Sequence, residues 1–263
     1  MKIEQIRIKN FKALRDITLR DLPNLAVFLG ANGTGKTTLF DVFSFLQDCL
    51  LHNVRAAVAK RGGFRELRTR DETGDIEFGL KFRTDRSSPL ITYELHIRDQ
   101  KGAVEISRER LQYRRGQYGQ PWRFLDFAFG QGTAITNEAD YETEGAEDQR
   151  EEQKLQSPDI LALKGLGQFE RFRAAAAFRE LIERWHVSDL RIHGARAPLE
   201  AGYAEHLNTS GENLALVTQY LFQNHQDRFQ KILDRMKERV PGITNVQATQ
   251  TEDGRIVLRF SDG

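Results

Sequence analysis

Residues Gly30-Ala31-Asn32-Gly33-Thr34-Gly35-Lys36-Thr37-Thr38 reproduce the spacing G-x-x-x-x-G-K-[ST] without a substitution. Glycines at these positions let the backbone curl until successive N–H groups point inward at anionic oxygens, and a following helix adds its positive N-terminal end. The pattern predicts a phosphate-binding P-loop for a nucleoside triphosphate. Lys36 is then expected between the β- and γ-phosphates as the catalytic cation, with Thr37 offering its hydroxyl to Mg²⁺ and Gly30, Asn32, Gly33, Thr34, Gly35 and Thr38 completing the cradle.

Such a loop works only when a strand delivers it and a helix receives it. Leu25-Ala26-Val27-Phe28-Leu29 is a short continuous apolar run, which predicts a strand buried on both faces. Leu39, Val42, Phe43, Leu46 and Leu50 recur at helical spacing, which predicts an amphipathic helix from about Gly35 to Leu51. Upstream, Ile6-Arg7-Ile8-Lys9 and Ile17-Thr18-Leu19-Arg20 alternate apolar with polar and read as a hairpin around Asn10-Phe11-Lys12-Ala13-Leu14. Downstream, Ile76, Phe78, Leu80 and Phe82, then Ile91, Tyr93, Leu95 and Ile97, then Val104 and Ile106 predict three antiparallel strands with one wet face.

Eight acids fall between Glu138 and Glu152, which predicts a mobile acidic insert over 136–157. Helical periodicity returns over Ala174–Trp185 and on faces marked by Leu214, Val217, Leu221 and Phe222 and by Phe229, Ile232, Leu233 and Met236; Pro241-Gly242 stops the last of these. Ile256-Val257-Leu258-Arg259-Phe260 reads as a strand. The expected organisation is a P-loop core with an antiparallel β subdomain over 1–135, the insert over 136–157, and a helical subdomain with C-terminal hairpin strands over 158–263.

The 263 residues carry 39 Lys and Arg against 38 Asp and Glu, a net charge of +1, so total charge decides nothing about nucleic acid. Local charge bears on it more. Lys60, Arg61, Arg65, Arg68 and Arg70, and Arg108, Arg110, Arg114 and Arg115 with Tyr113, Tyr118 and Trp122 nearby, fit either phosphate contact with base stacking or a solvated strand face. Cys49 is the only cysteine and is expected in the core of the first helix. No apolar run approaches a membrane span and the start shows no signal region, which leaves a reducing cytoplasm as the expected location. The histidines, His186 and His193 among them, lack ligand-spaced partners, so no zinc site is expected. Asp71-Glu72-Thr73-Gly74 has a D-x-x-G spelling but follows a charged segment and reads as a turn.

The opening Ile6-Arg7-Ile8-Lys9-Asn10-Phe11-Lys12-Ala13-Leu14, followed by the Gly30–Thr38 loop, resembles the N-terminal half of AAA-family ATPases related to RecF, SMC and OLD proteins. Ser210-Gly211-Glu212-Asn213-Leu214 and Val240-Pro241-Gly242-Ile243 are similar to the same group. The resemblance implies an α/β fold with an ABC-type head: a mixed sheet, an antiparallel β subdomain and a helical insert. It also implies ATP with Mg²⁺ as ligands, Asn32 facing the γ-phosphate or a partner subunit, and either a nucleotide-adjacent role or a plain turn for Asn10 to Lys12. Heads of this kind pair head to tail around ATP, so a nucleotide-dependent homodimer, DNA and an effector protein are the implied partners, in DNA repair or in defence against foreign DNA.

The same resemblance calls for an apolar strand ending in Asp-Glu, a signature loop and a following His, and none of these is legible. Phe124-Leu125-Asp126 is too short and lacks the Glu, and Ser261-Asp262-Gly263 fits a hairpin turn or the first letters of a signature. The chain therefore reads as stopping short of the Walker B half. Two functions stay open: an ATP-driven switch, or a nucleotide-binding module that does not hydrolyse without a second half.

Overall fold

The computed structural model describes residues 2–85, 88–114, 120–140, 143, 145–188 and 198–262. Its chain divides into two compact units, Met1–Trp185 and His186–Gly263.

The first unit is built on an antiparallel sheet of eight strands: β1 (Lys2–Phe11), β2 (Leu14–Leu19), β3 (Ile76–Arg83), β4 (Ile91–Gln100), β5 (Ala103–Arg114), β6 (Pro121–Ala128), β7 (Gln131–Ile135) and β8 (Arg150–Lys154), in the order β2-β1-β3-β4-β5-β6-β7-β8. Strict alternation fixes which face is dry. Ile76, Phe78, Leu80 and Phe82 of β3 and Ile91, Tyr93, Leu95 and Ile97 of β4 are all buried, as their spacing predicts. Helix α1 (Lys36–Leu51) lies on this face through Phe45, whose ring sits 5.4 Å from Phe11 and 5.6 Å from Phe78. Two short helices, α2 (Val54–Ala59) and α3 (Phe64–Leu67), follow. Helices α4 (Ala162–Leu166) and α5 (Arg173–Glu183) complete the layer, with Phe178 stacked at 4.5 Å on Phe82 and 4.6 Å from Tyr93. Cys49 is fully buried in this core.

Four expectations change. The run Leu25–Leu29 forms no strand, and Leu25, Val27 and Leu29 are 81%, 73% and 90% exposed. A doubly buried strand needs hydrogen-bonded neighbours on both edges, and no described strand pairs with this run. Every pairing among the described residues is antiparallel, where the family resemblance implies a mixed sheet. Within the acidic stretch, Arg150–Lys154 pairs along β7 from Gln131↔Lys154 to Ile135↔Arg150, giving that part a sheet edge to follow. Helices α4 and α5, expected to group with the later helices, belong to the first unit because Phe178 and Ile182 are buried in its core.

The second unit contains α6 (Leu214–Asn224), α7 (Gln226–Arg239), β10 (Ile243–Gln250) and β11 (Arg255–Asp262), with the short β9 (Leu199–Glu200) added to the β11 edge. Phe222 of α6 meets Phe229 of α7 edge-on at 5.5 Å. Val246 and Ile256 are buried on the sheet. Ser261 and Asp262 lie inside β11, paired with Asn245 and Ile243, which settles them as strand residues.

Candidate functional site

The loop from Gly30 to Gly35 turns sharply because two of its glycines take left-handed backbone angles, φ 83° at Gly33 and 91° at Gly35. At Gly35 the requirement is double. A Cβ there would stand 2.9 Å from Leu14 Cδ2, so the loop closes directly onto the β1–β2 turn. Thr34 Oγ1 donates to the Ala31 carbonyl at 2.9 Å and braces the bend.

Helix α1 starts at Lys36 with no side chain capping it and no acid in its first turn. Its leading N–H groups are therefore without a side-chain acceptor, at the positive end of a 16-residue helix. The Lys36 ammonium folds back onto the carbonyl oxygens of Gly30 and Ala31, at 2.7 and 2.6 Å. Thr37 is exposed and Thr38 half-buried at the helix start, while Asn32 is exposed on the outer bend. The donors are N–H groups, an ammonium and a hydroxyl, the set that a polyphosphate with a magnesium ion requires.

The β1–β2 turn beside the loop is held rigidly. Asn10 and Lys12 take positive φ values of 59° and 49°. Asn10 is buried, and its amide donates to the Thr73 and Asp75 carbonyls at 3.1 Å each. Lys12 N–H donates to the Leu67 carbonyl at 2.6 Å, and Thr69 N–H to that of Asn10 at 3.2 Å. Between this turn and residues 65–72 lies a cleft of about 830 Å³, lined by Lys12, Ala13, Arg15, Arg65, Arg68 and Arg70 among others. Asp71, at φ 64°, and Gly74 form the turn expected of them.

Lys12 and Asp41 form an ion pair of 2.5 Å, fixing this turn to α1. Arg61 bridges Asp41 at 3.0 Å and Asp48 at 2.7 Å, and its guanidinium lies 5.2 Å from the Phe45 ring centroid. Burial pushes the Asp41 carboxyl up, but the hydrogen bonds and charges of Lys12 and Arg61 outweigh it and leave its pKa below the ordinary value. Lys60 pairs with Asp48 at 3.0 Å. Lys60 and Arg61 thus serve this network rather than forming a free basic patch.

In the second basic cluster, Arg108 and Arg110 stand on the wet face of the sheet, whereas Trp122 and Tyr113 pack into the core. The expected interleaving of arginines with stacking aromatics is absent at these residues, because strand alternation sends the two kinds to opposite faces. Arg115, Tyr118 and His193 lie outside the described residues. No group of three or more potential metal-binding His, Cys, Asp or Glu side chains occurs among the described residues, nor is any described helix long and apolar enough to cross a membrane.

Two buried acids escaped the sequence reading. Glu109 accepts from the backbone N–H groups of Ala162 and Leu163, at 2.5 and 3.0 Å, and from the Tyr93 hydroxyl at 3.1 Å. Glu138, in the turn after β7, accepts from Ala174 N–H at 2.6 Å, so Glu109 pins the start of α4 to the sheet and Glu138 pins the start of α5 to that turn. Burial raises both to about 7, against the lowering effect of those donors. The legible signal was parity: Glu109 shares the inward register of Leu111.

Residues 1–231 match the family model described as AAA ATPase domain. The chain is similar to the DNA replication and repair protein RecF of Lactococcus lactis subsp. cremoris, 28% identical over 147 residues covering 51% of this chain and 40% of that protein. It is also similar to RecF of Porphyromonas gingivalis, 33% identical over 96 residues covering 34% and 26%. The chain thus spans less than half the length of these curated relatives. A solved structure from work on ATP-driven dimerization and DNA-stimulated activation of SMC ATPases overlaps 44% of this chain and 73% of its own, at a TM-score of 0.31 and 20% identity.

Proposed function

The chain belongs to the AAA ATPase domain family, and from that membership we propose that it binds ATP with Mg²⁺ at the Gly30–Thr38 loop and couples binding and hydrolysis to DNA or to a partner protein. The observation that carries this reading is the loop itself: the α1 start has no side-chain cap, and the Lys36 ammonium lies on the Gly30 and Ala31 carbonyls of the loop that precedes it. An incoming triphosphate replaces the Gly30 and Ala31 carbonyls as the partner of Lys36. Lys36 would then neutralise charge between the β- and γ-phosphates, and Thr37 would be the hydroxyl that holds Mg²⁺. Bound Mg²⁺ supplies charge neutralisation on the phosphate oxygens. Asn32, on the exposed bend, faces the γ-phosphate or a second subunit. The cleft lined by Lys12 and Ala13, with both basic and acidic side chains, is the concavity that this reading offers the base and ribose, since Ala13 borders Gly35 of the loop.

A second reading, binding without turnover until another polypeptide segment completes the site, is favoured by one observation. The extended run before the loop exposes Leu25, Val27 and Leu29, and an apolar crevice of about 590 Å³ lies under it between Ile3, Ile6, Leu22, Phe28, Phe40 and Phe43. Added strands would cover this surface, and could bring the acids that orient an attacking water. A nucleotide-dependent homodimer is the simplest arrangement of such heads, and the likeness to RecF supports DNA repair as the setting.

The test is Mg-ATP titration and phosphate release, with size measured with and without nucleotide. Saturable binding supports the reading, and turnover separates the switch from the binding module. Absence of binding would overturn both.

A further inference from the structure

The two sheets end in different kinds of edge. In the first unit the outer strands are β2, which carries Arg15 and Asp16, and β8, which reads Arg150-Glu151-Glu152-Gln153-Lys154. In the second unit β9 closes one side with only two residues. Charge and shortness are the usual means by which a sheet edge is kept from pairing with another chain. The remaining edge, β10, has neither. Ile243-Thr244-Asn245-Val246-Gln247-Ala248-Thr249-Gln250 is eight residues long and holds no charged residue and no proline.

Alternation places the outward backbone groups of β10. Thr251 N–H donates to the Arg255 carbonyl at 2.7 Å, on the β11 side. Successive N–H groups of a strand point to opposite edges, so those of Gln247 and Thr249 face β11 and those of Val246, Ala248 and Gln250 face away from it. Val246 agrees, since its N–H is taken by Asn245 Oδ1 at 2.9 Å. Ala248 and Gln250 have no such cover among the described residues, and no described strand lies on their side.

A groove runs beside the same edge. A cavity of about 280 Å³ is lined by Gln219 and Phe222 of α6, Phe229 of α7 and residues 246–249 of β10, and by no described residue of β11. It therefore lies at the β10 margin of the sheet rather than over its middle. Phe222 is 53% exposed there, its ring edge-on to Phe229.

We propose that β10 is a dimer edge, pairing antiparallel with β10 of a second copy of this chain about a two-fold axis normal to the sheet. The occupant is a second copy because the strand is complementary to itself. A two-fold contact sets each residue of the strand against another of the same strand, and no pairing within residues 243–250 brings like charges together. Such an axis also matches the faces. Val246 and Ala248 continue the face of the copy on which Val246 is buried, and Gln247 and Thr249 continue the other. The two grooves, each with its Phe222, then meet across the join. A foreign strand would have to be chosen by charge or shape, and β10 carries no charge with which to choose it. The contact goes beyond the nucleotide reading, since no residue of the Gly30–Thr38 loop takes part.

The test is sedimentation of the full chain without nucleotide over a range of concentrations, and a monomer–dimer equilibrium is expected. Ala248→Pro removes an outward N–H and leaves the β10–β11 ladder its donors. It should weaken dimerisation about tenfold or more, with the circular dichroism of the parent retained. Gln247 is exposed, so Gln247→Lys and Gln247→Glu should fold, each weaken self-association, and recover it as a mixed dimer when combined. Misfolding and a foreign-strand site give no such recovery. A parent chain that stays monomeric at every concentration, a dimer indifferent to Ala248→Pro, or no recovery on mixing would overturn the proposal. Mg-ATP titration of the same samples keeps the two claims apart: ATP binding by a chain that is monomeric without nucleotide removes the β10 contact alone, and a nucleotide-free dimer that binds no ATP removes the nucleotide reading alone.

Discussion

Lys12 Nζ lies 2.5 Å from Asp41 Oδ2, a contact that ties the turn beside the P-loop to the helix the P-loop starts. The same carboxylate accepts from Arg61, which is only 9% exposed and also holds Asp48. Loop, turn and basic segment therefore move as one piece. Asp41→Asn should destabilise the protein by about 1–3 kcal/mol, since it strips charge from two cations while Asp48 still holds Arg61. Because the native Asp41 pKa lies below the ordinary value, its contribution is present above about pH 4 and lost as pH falls through the native value. Chemical unfolding of the variant at neutral and acidic pH checks this: the difference should shrink on the acid side.

Gly35→Ala should damage the loop more than a glycine-to-alanine change in a helix would. The added Cβ meets Leu14 Cδ2 at 2.9 Å, and φ of 91° strains any side chain. A loss of about 1–2 kcal/mol from the left-handed backbone alone is expected, together with weaker ATP binding. The companion change Leu14→Ala should recover part of the clash but none of the backbone strain, which a comparison of the melting temperatures of the single and double variants would reveal.

Glu109 and Glu138 give stability an inverted pH dependence. Each is raised by burial from 4.5 to about 7. The folded chain keeps these protons where the unfolded chain releases them, so the contribution of these two groups to stability is greatest below about pH 4.5, falls as pH rises towards 7, and flattens above it. The loss is at most about 3 kcal/mol per group. Glu109→Gln keeps a carbonyl acceptor for Ala162 and Leu163 and should flatten this part of the curve. Urea unfolding between about pH 5 and pH 8 would measure it; a curve rising through this range for the parent protein would contradict it.

What could be read in the sequence was what local periodicity determines. Phe78 and Phe82, two residues apart twice over, announced β3; Leu39, Val42 and Leu46 announced α1; the glycine spacing announced the loop. Leu25–Leu29 misled because an apolar run reports a preference for burial, not the presence of neighbouring strands. Glu109 was hidden among charged neighbours in Ser107-Arg108-Glu109-Arg110, where only parity with Leu111 marks it as inward. The ion pair of Arg123 with Asp126 depends on a bulge in β6 whose trace is the consecutive apolar pair Phe124-Leu125, too slight to separate from ordinary strand composition. The cation network of Lys60 and Arg61 is tertiary, and a count of basic residues sees only their charge.

The claim on which the account rests is that Lys36 faces a triphosphate. Isothermal titration of the chain with Mg-ATP, beside Lys36→Ala, tests it most directly. Loss of the ammonium removes a charge-assisted contact of about 1.5–3 kcal/mol, so affinity should fall about 10- to 100-fold while the melting temperature of the free protein stays nearly unchanged. Equal affinity of the two proteins, or no binding by either, would contradict the account.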